Sequence, residues 1–158
     1  MFRAIRNKKN ELSIEKATLL LKNERRAVLA VNGDGGYPYA LPINFLYLED
    51  EGKIVFHGSC AGHKIDSIKR DDRVCLTVYG NETASDEAWA PCLQSVIVFG
   101  RCKIVENRER TMELLRAFAA KYYPDAQLIE EEIARSGKAV RMLELTIEHM
   151  SGKLIQEK

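Results

Sequence analysis

AVLAVNGDGGYPYALPINFLY, residues 27–47, is the stretch that decides the fold. Its first five residues are apolar throughout, which is typical of a buried strand. The Gly-Asp-Gly-Gly sequence at 33–36 indicates a tight turn, and a second strand-like run follows at once. We therefore predict a hairpin of two strands, over residues 27–31 and 37–47.

Two prolines, Pro38 and Pro42, lie within the second strand of this hairpin. Proline has no N–H to donate to a neighbouring strand, so this strand is expected at a sheet edge or at a bulge. Bulges are common at barrel rims and beside ligands. An edge position and a bulge are both open at this point; a bulge at Pro42 would leave backbone groups unpaired beside it.

The rest of the chain predicts short strands joined by turns, with the helices clustered rather than alternating with strands. This pattern favours a mainly β fold, an antiparallel barrel with peripheral helices, over βαβ units. Further strands are predicted over residues 53–57, 73–79 and 94–106, with a last hairpin of residues 140–150 and 153–156 that turns at Ser151-Gly152. Helices are predicted up to residue 23 after a Ser13 cap, over 66–70, up to 123 after an Asn107 cap, and over about 126–136.

The length of 158 residues fits one domain, 1–158, with an N-terminal helical segment over 1–25 and a helical insertion over 107–137. With 24 Lys and Arg against 23 Asp and Glu, the charge gives no attraction to nucleic acid. No stretch approaches the roughly 20 apolar residues that span a bilayer. The basic start MFRAIRNKK lacks the apolar run of an export signal. We expect a cytoplasmic protein that binds neither nucleic acid nor membrane.

The cysteines do not predict a metal site. None of the four belongs to a CxxC pair, and no Cys–His group has zinc spacing. Free thiols are the expectation for Cys60, Cys75, Cys92 and Cys102.

Gly62-His63-Lys64, directly before a short predicted helix, is the strongest local candidate for a binding site. Free backbone N–H groups at a helix start, together with an ammonium group, suit a phosphate. Taken alone, the same three residues also fit an ordinary solvated turn. His57, at the end of a predicted strand, fits either a partly solvated histidine or an imidazole beside a ligand ring.

Three segments together resemble a known family. They are YPYALPINFLY (37–47), VFHGSCAGHKIDSIKRDDRV (55–74) and SVIVFGRCKIVE (95–106). In this order and spacing they are similar to the pyridoxamine 5′-phosphate oxidase-like flavoproteins, most of all to the nitroimidazole-resistance branch. The resemblance covers the chain up to about Glu106 and is weaker beyond it.

The resemblance implies a split barrel that binds FMN, with FAD as an alternative, at the interface of a homodimer. Lys64 matches the phosphate lysine of the oxidases, His63 stands where they have arginine, and Ser95 stands where they have glutamine. The residues implied at the flavin are Pro42, Ile43, Asn44, Phe45, His57, Gly58, Ser59, Gly62, His63, Lys64 and Ser95. Trp89 and Tyr79 are candidates for stacking from the partner subunit, and both equally fit ordinary packing at a barrel rim or dimer interface.

The chain also departs from the oxidases. It ends GKLIQEK, without their arginine–histidine substrate motif, which argues against pyridoxamine phosphate as substrate. The leading hypothesis is an FMN-dependent reductase of small planar acceptors such as nitroaromatics or nitroimidazoles, with His57 near the reactive face. The alternatives are a flavin-binding or sensing protein without turnover, and a haem protein with His57 or His63 as axial ligand.

Overall fold

The computed structural model describes residues 1–83 and 91–156. It is mainly β, as predicted, with seven antiparallel strands and four α-helices in the described residues. The strands are β1 (Arg26–Asn32), β2 (Pro38–Asn44), β3 (Leu46–Leu48), β4 (Lys53–Gly58), β5 (Arg73–Thr83), β6 (Cys92–Ile104) and β7 (Arg141–Ile155). The helices are α1 (Ile14–Asn23), α2 (His63–Arg70), α3 (Arg108–Tyr122) and α4 (Ala126–Ser136).

The sheet has the order β2-β1-β5-β6-β7-β4-β3, so β2 and β3 lie at its two opposite edges. Only Phe45 separates these two strands in the chain. Because one residue spans at most about 3.6 Å, the two edges must approach each other at this point. The sheet is therefore curled into a split barrel, and we call the place where β2 faces β4 the seam.

Tyr122, at the end of α3, holds the seam together. Its hydroxyl accepts a hydrogen bond from the Phe45 N–H at 2.8 Å, and it lies within donating distance of the carbonyls of Phe45 (2.7 Å) and Arg25 (2.9 Å). Phe45 itself is fully buried. The crossover from one sheet edge to the other is thus fixed by a side chain of α3.

The predicted hairpin of β1 and β2 is confirmed, and of the two placements predicted for its prolines the sheet edge is confirmed while the bulge at Pro42 is wrong. All seven residues of β2 pair with β1 in one unbroken register, including Pro42 opposite Val28. N–H groups alternate sides along a strand, so two prolines four residues apart can both turn their nitrogens to the open edge. The edge position alone accommodates Pro38 and Pro42, and no bulge is needed.

The predicted C-terminal hairpin is also wrong, because β7 is one continuous strand that runs through Ser151-Gly152. It pairs with β6 along nearly its whole length. A Cβ added at Gly152 would lie 2.9 Å from the Cβ of Leu12 and 3.2 Å from that of Ala17. Glycine is therefore required at this position by the close approach of the α1 region, not by a turn.

The helices close the barrel core from several sides. Ala17, Leu20 and Leu21 of α1 are buried against the strands. The helix predicted over 66–70 begins earlier, at His63, and buries Ile65 and Ile68. A second, smaller apolar cluster lies beneath α3 and includes Phe118. No helix in the described part of the chain is long and apolar enough to cross a membrane.

Candidate functional site

A cleft of about 370 Å³ opens at the seam. It is lined by residues of β2 and by His57 and Lys64, which follow later in the chain. The sequence predicted residues of both groups at the flavin. The lining residues are Arg26, Leu41, Pro42, Ile43, Asn44, His57 and Lys64. Five of these seven were predicted at a single site.

Lys64 lies in the first turn of α2 and carries a charge with no acidic partner. Its ammonium group donates to the carbonyl of His57 at 3.3 Å, and it forms no ion pair with any described residue. Burial lowers the pKa of Lys64, since the charged form loses water without gaining a carboxylate. A partly desolvated cation of this kind is suited to an external anion.

The backbone around Lys64 leaves room for such an anion. Gly62 caps α2 with a φ of 122°, in the region that favours glycine. The N–H groups of the first turn have no intrahelical acceptor, and the positive end of the helix dipole points the same way. At Gly58, an added Cβ would lie 3.1 Å from the Leu143 Cδ1 and 3.4 Å from the Lys64 Nζ, so a side chain there would occupy the space beside the ammonium group.

His57, at the end of β4, lines the same cleft. Its ring meets the ring of Phe118 edge-on, with centroids 5.2 Å apart. Burial, and secondarily the positive charge of Lys64, lower the pKa of His57. The imidazole is therefore neutral at physiological pH, and it offers one donor and one acceptor nitrogen.

A larger cavity of about 850 Å³ adjoins the cleft beneath α3 and α4, and we call it the α3–α4 cavity. Asn44 and His57 line both spaces. Its other walls are mostly apolar and include Leu115, Phe118, Ala119, Tyr122, Leu128, Ile129, Ile133 and Val140. A phosphate-suited cleft and an apolar cavity thus meet at one histidine and one asparagine.

The model of the pyridoxamine 5′-phosphate oxidase family matches residues 13–154. The chain belongs to this family. No curated protein sequence matches the chain.

Solved structures show the same fold at low sequence identity. A candidate 5-nitroimidazole antibiotic resistance protein from Bacteroides thetaiotaomicron is 17% identical, with a TM-score of 0.76 over 91% of this chain and 86% of that one. A FAD-binding protein from Mesorhizobium loti is 20% identical, with a TM-score of 0.66 over 92% and 97%. The flavocytochrome Anf3 from Azotobacter vinelandii is 21% identical, with a TM-score of 0.77 over 98% and 73%.

His63, which stands where the oxidases of this family have arginine, is placed outside the cleft. Its ring stacks on Tyr39 at 4.1 Å, and its Nε2 lies 3.5 Å from a carboxylate oxygen of Asp34. The side chain therefore contacts the β1–β2 turn, while Lys64 faces the cleft. A role for His63 at a phosphate stays a prediction.

Four further residues were predicted from the family resemblance, and three of them lie in the part of the chain that the structure describes. The Phe45 backbone is engaged by Tyr122, so it is not open to a ligand ring. The Ser59 hydroxyl donates within its own loop, to the Ala61 carbonyl at 2.5 Å. Ser95 lies on β6, opposite Tyr79 and Lys153, and does not line the cleft of its own chain. Trp89 lies outside the described residues.

Sequence reasoning missed Arg26 and Leu41 as lining residues of the cleft. Arg26 lies directly opposite Asn44 in the β1–β2 register. The predicted hairpin does not specify this pairing: a turn of residues 33–36 alone would set Arg26 opposite Ile43, whereas the observed loop is one residue longer. Arg26 adds a second cation to the lining of the cleft.

An exposed apolar surface lies on the side of the sheet that faces away from the core, and we call it the outer face. Strand alternation buries Leu76 and Val96 and turns their neighbours outward. Val28, Thr77 and Ile97 form one cross-strand row of this face. Its large exposed residues include Tyr79 (57% exposed), Ile97 (37%) and Phe99 (37%).

Proposed function

We propose that the protein binds FMN in the cleft, with the phosphate on Lys64 and the first turn of α2. The observation that carries this proposal is the half-buried Lys64 ammonium, which has no acidic partner among the described residues. Family membership supports it, as does the FAD-binding relative of the same fold. FMN suits the small cleft better than the longer FAD.

The other cleft residues fit the remainder of that cofactor. The open edge of β2 beside Pro42, Ile43 and Asn44 presents unpaired backbone groups to the polar edge of a ring. His57 and Arg26 border the same space. Bound flavin supplies reversible redox chemistry, while these residues bind, orient and shield it.

A second copy of the chain is the proposed partner on the outer face. Pro42, which lines the cleft, pairs with Val28 of that face, so the two surfaces are continuous. Burying an apolar surface of this kind stabilises a dimer. In such a dimer Ser95 and Tyr79 would serve the flavin of the other copy, which explains why neither lines the cleft of its own chain.

The proposed reaction is the reduction of small planar acceptors such as nitroaromatics or nitroimidazoles. It rests on the open space beside His57 and on the related fold of the candidate nitroimidazole-resistance protein. Turnover with NAD(P)H and a nitroaromatic tests it. Binding of flavin without turnover would favour a flavin-binding or sensing role instead.

Haem binding is a second candidate, favoured by one observation. His57 presents a neutral imidazole to the apolar α3–α4 cavity, and imidazole is a common axial ligand of haem iron. A Soret band in the purified protein would support haem, whereas flavin absorbance bands would support the main proposal.

Comparing FMN with riboflavin, which lacks the phosphate, tests the main proposal. Lys64→Met should weaken the binding of FMN about ten- to a hundredfold, the range for a lost charge-assisted hydrogen bond, and leave the binding of riboflavin unchanged. Lys69→Met, at an exposed lysine of the same helix, is the matched control and should change neither. Equal weakening of both ligands by Lys64→Met, or a wild-type protein that takes up no FMN, would overturn the proposal.

The dimer is tested by placing a charge on the outer face. Ile97→Glu should shift the protein to monomers in analytical ultracentrifugation, because the carboxylate would be buried unpaired. Ala120→Glu, at an exposed position of α3, adds the same charge elsewhere and should leave the assembly unchanged. A wild-type monomer would refute the dimer.

A further inference from the structure

The α3–α4 cavity has the size and lining of a small-molecule site separate from the cleft. Its volume of about 850 Å³ lies within the range of ligand pockets, about 300–1,000 Å³. Leu128 and Tyr123 at its border are 59% and 64% exposed. Large apolar side chains left in solvent around an apolar hollow indicate a surface that a ligand covers.

Aromatic groups dominate the inner end of the cavity. The rings of Phe118 and Tyr122 lie 5.0 Å apart, and Phe118 also meets His57 edge-on. Rings at these distances leave faces and edges on which a further flat ring can pack. The walls therefore favour a planar aromatic molecule over a flexible polar one.

The charges of the cavity disfavour an anion. Its charged border residues are Glu131, Glu132 and Arg135, all on α4. Arg135 forms an ion pair with Glu132, so an uncompensated carboxylate remains at Glu131. An anionic group at the α4 border would be repelled by Glu131, whereas a neutral one would not.

His57 and Asn44 place polar atoms at the junction of the cavity with the cleft. A neutral imidazole and an amide both donate and accept hydrogen bonds, so they suit an uncharged oxygen acceptor such as a nitro or carbonyl group. A ligand oriented by these two residues would have its polar end toward the cleft and its apolar body under α3 and α4.

We propose that the α3–α4 cavity binds an uncharged, planar aromatic acceptor with its nitro or carbonyl group at His57 and Asn44. This inference rests on the proposed function for the role of that molecule, because the acceptor would lie beside the flavin. Binding itself does not depend on flavin, since the cavity is built by this chain's own helices.

The test uses 4-nitrobenzamide as a neutral probe and follows the imidazole signals of the three histidines by NMR in flavin-free protein. The probe should shift the His57 signals in a saturable way and leave those of His149 unchanged. The anionic analogue 4-nitrobenzoate, in phosphate buffer that supplies Lys64 with an anion, should bind at least about tenfold more weakly.

Two matched variants locate the site. Ala119 lines the cavity and Ala120 is exposed beside it on α3. Ala119→Trp should fill the cavity and abolish the His57 shift, while Ala120→Trp should retain it. Ile133→Trp, from α4, repeats the test from the opposite wall if Ala119→Trp does not fold.

The outcomes separate this inference from the proposed function. Unchanged probe binding in a folded Ala119→Trp or Ile133→Trp variant, tighter binding of 4-nitrobenzoate, or no shift of His57 would overturn the cavity site, whether or not FMN binds. Loss of FMN binding with an intact His57 shift would overturn only the proposed function. Haem bound in the cavity would also overturn the inference.

Discussion

Two groups of charged residues in this protein are built in opposite ways. Around Arg110 every charge is matched within the chain: its guanidinium contacts Glu51 at 2.5 Å, Glu113 at 3.0 Å and Glu144 at 3.2 Å. Lys53 completes this group with contacts to Glu51 and Glu144. The group joins α3 to the β3–β4 turn and to β7, so its charges serve the architecture.

The cations of the cleft have no acidic partner among the described residues; their hydrogen bonds go to backbone carbonyls, and each also lies over an aromatic ring, Lys64 over Phe56 at 5.5 Å and Arg26 over Tyr122 at 5.9 Å. Lys64 donates to His57, and Arg26 donates to Arg25 at 3.2 Å. Neither positive charge is neutralised by a carboxylate of the described residues. The contrast separates charges that are matched within the chain, which serve the architecture, from the cleft charges that the proposed function assigns to a ligand.

Removing Arg110 should have the largest effect on stability. Arg110→Met leaves Glu144, only 5% exposed, without its strongest partner, and loss of one member of a buried ion pair typically costs about 3–5 kcal/mol. Because Lys53 remains near Glu144, we expect the free energy of unfolding, measured with urea, to fall by about 3 kcal/mol.

Arg116→Met is the control for this change. Its ion pair with Glu130 is about half exposed on both sides, and exposed pairs contribute only about 0–1 kcal/mol. If the two variants lost equal stability, the group around Arg110 would not be the structural centre that its geometry indicates.

Replacing Lys64 should have the opposite effect. It should change the free energy of unfolding little without ligand, but it should strongly reduce the stabilisation that FMN provides. Lys64→Met is expected to alter the free energy of unfolding by no more than about 1 kcal/mol, because no carboxylate is left behind. In the wild-type protein, FMN at a hundred times its Kd should raise the free energy of unfolding by about 2.7 kcal/mol. The variant should show far less of this gain at the same FMN concentration, whereas Lys69→Met should show all of it. A large loss of stability without ligand would instead place Lys64 among the structural charges.

The smallest expected effect is on the titration of His57. Its pKa is lowered first by burial and then by Lys64, so Lys64→Met should raise the pKa while burial still holds it below the usual value. Because the folded pKa is the lower one, this histidine's contribution to stability is present above about pH 6.5 and is lost as the pH falls. NMR titration of wild type, Lys64→Met and Lys69→Met measures the shift. An unchanged pKa in Lys64→Met would show that the ammonium does not act on the imidazole.

The sequence predicted those parts of the site that local patterns and family motifs determine. The 33–36 turn signal predicted the β1–β2 hairpin, and the 57–64 segment placed His57 and Lys64 together. The α3–α4 cavity was not predicted, because it depends on how two helices pack on the barrel. Ser151-Gly152 has the composition of a turn, but distant residues, Leu12 and Ala17, decide its conformation. His63 follows the motif in sequence, yet it stacks on Tyr39 because that ring lies nearby in three dimensions.

The crossover at Phe45 also fixes the length of the chain at this point. One residue joins the two edges of the sheet, and one hydroxyl, that of Tyr122, holds its backbone on both sides. An insertion or deletion between Asn44 and Leu46 would turn the alternating side chains of β3 over to the other face. It would also remove Phe45 from the reach of Tyr122. Substitutions can change what this barrel binds, but the seam is a place where the chain can neither gain nor lose a residue.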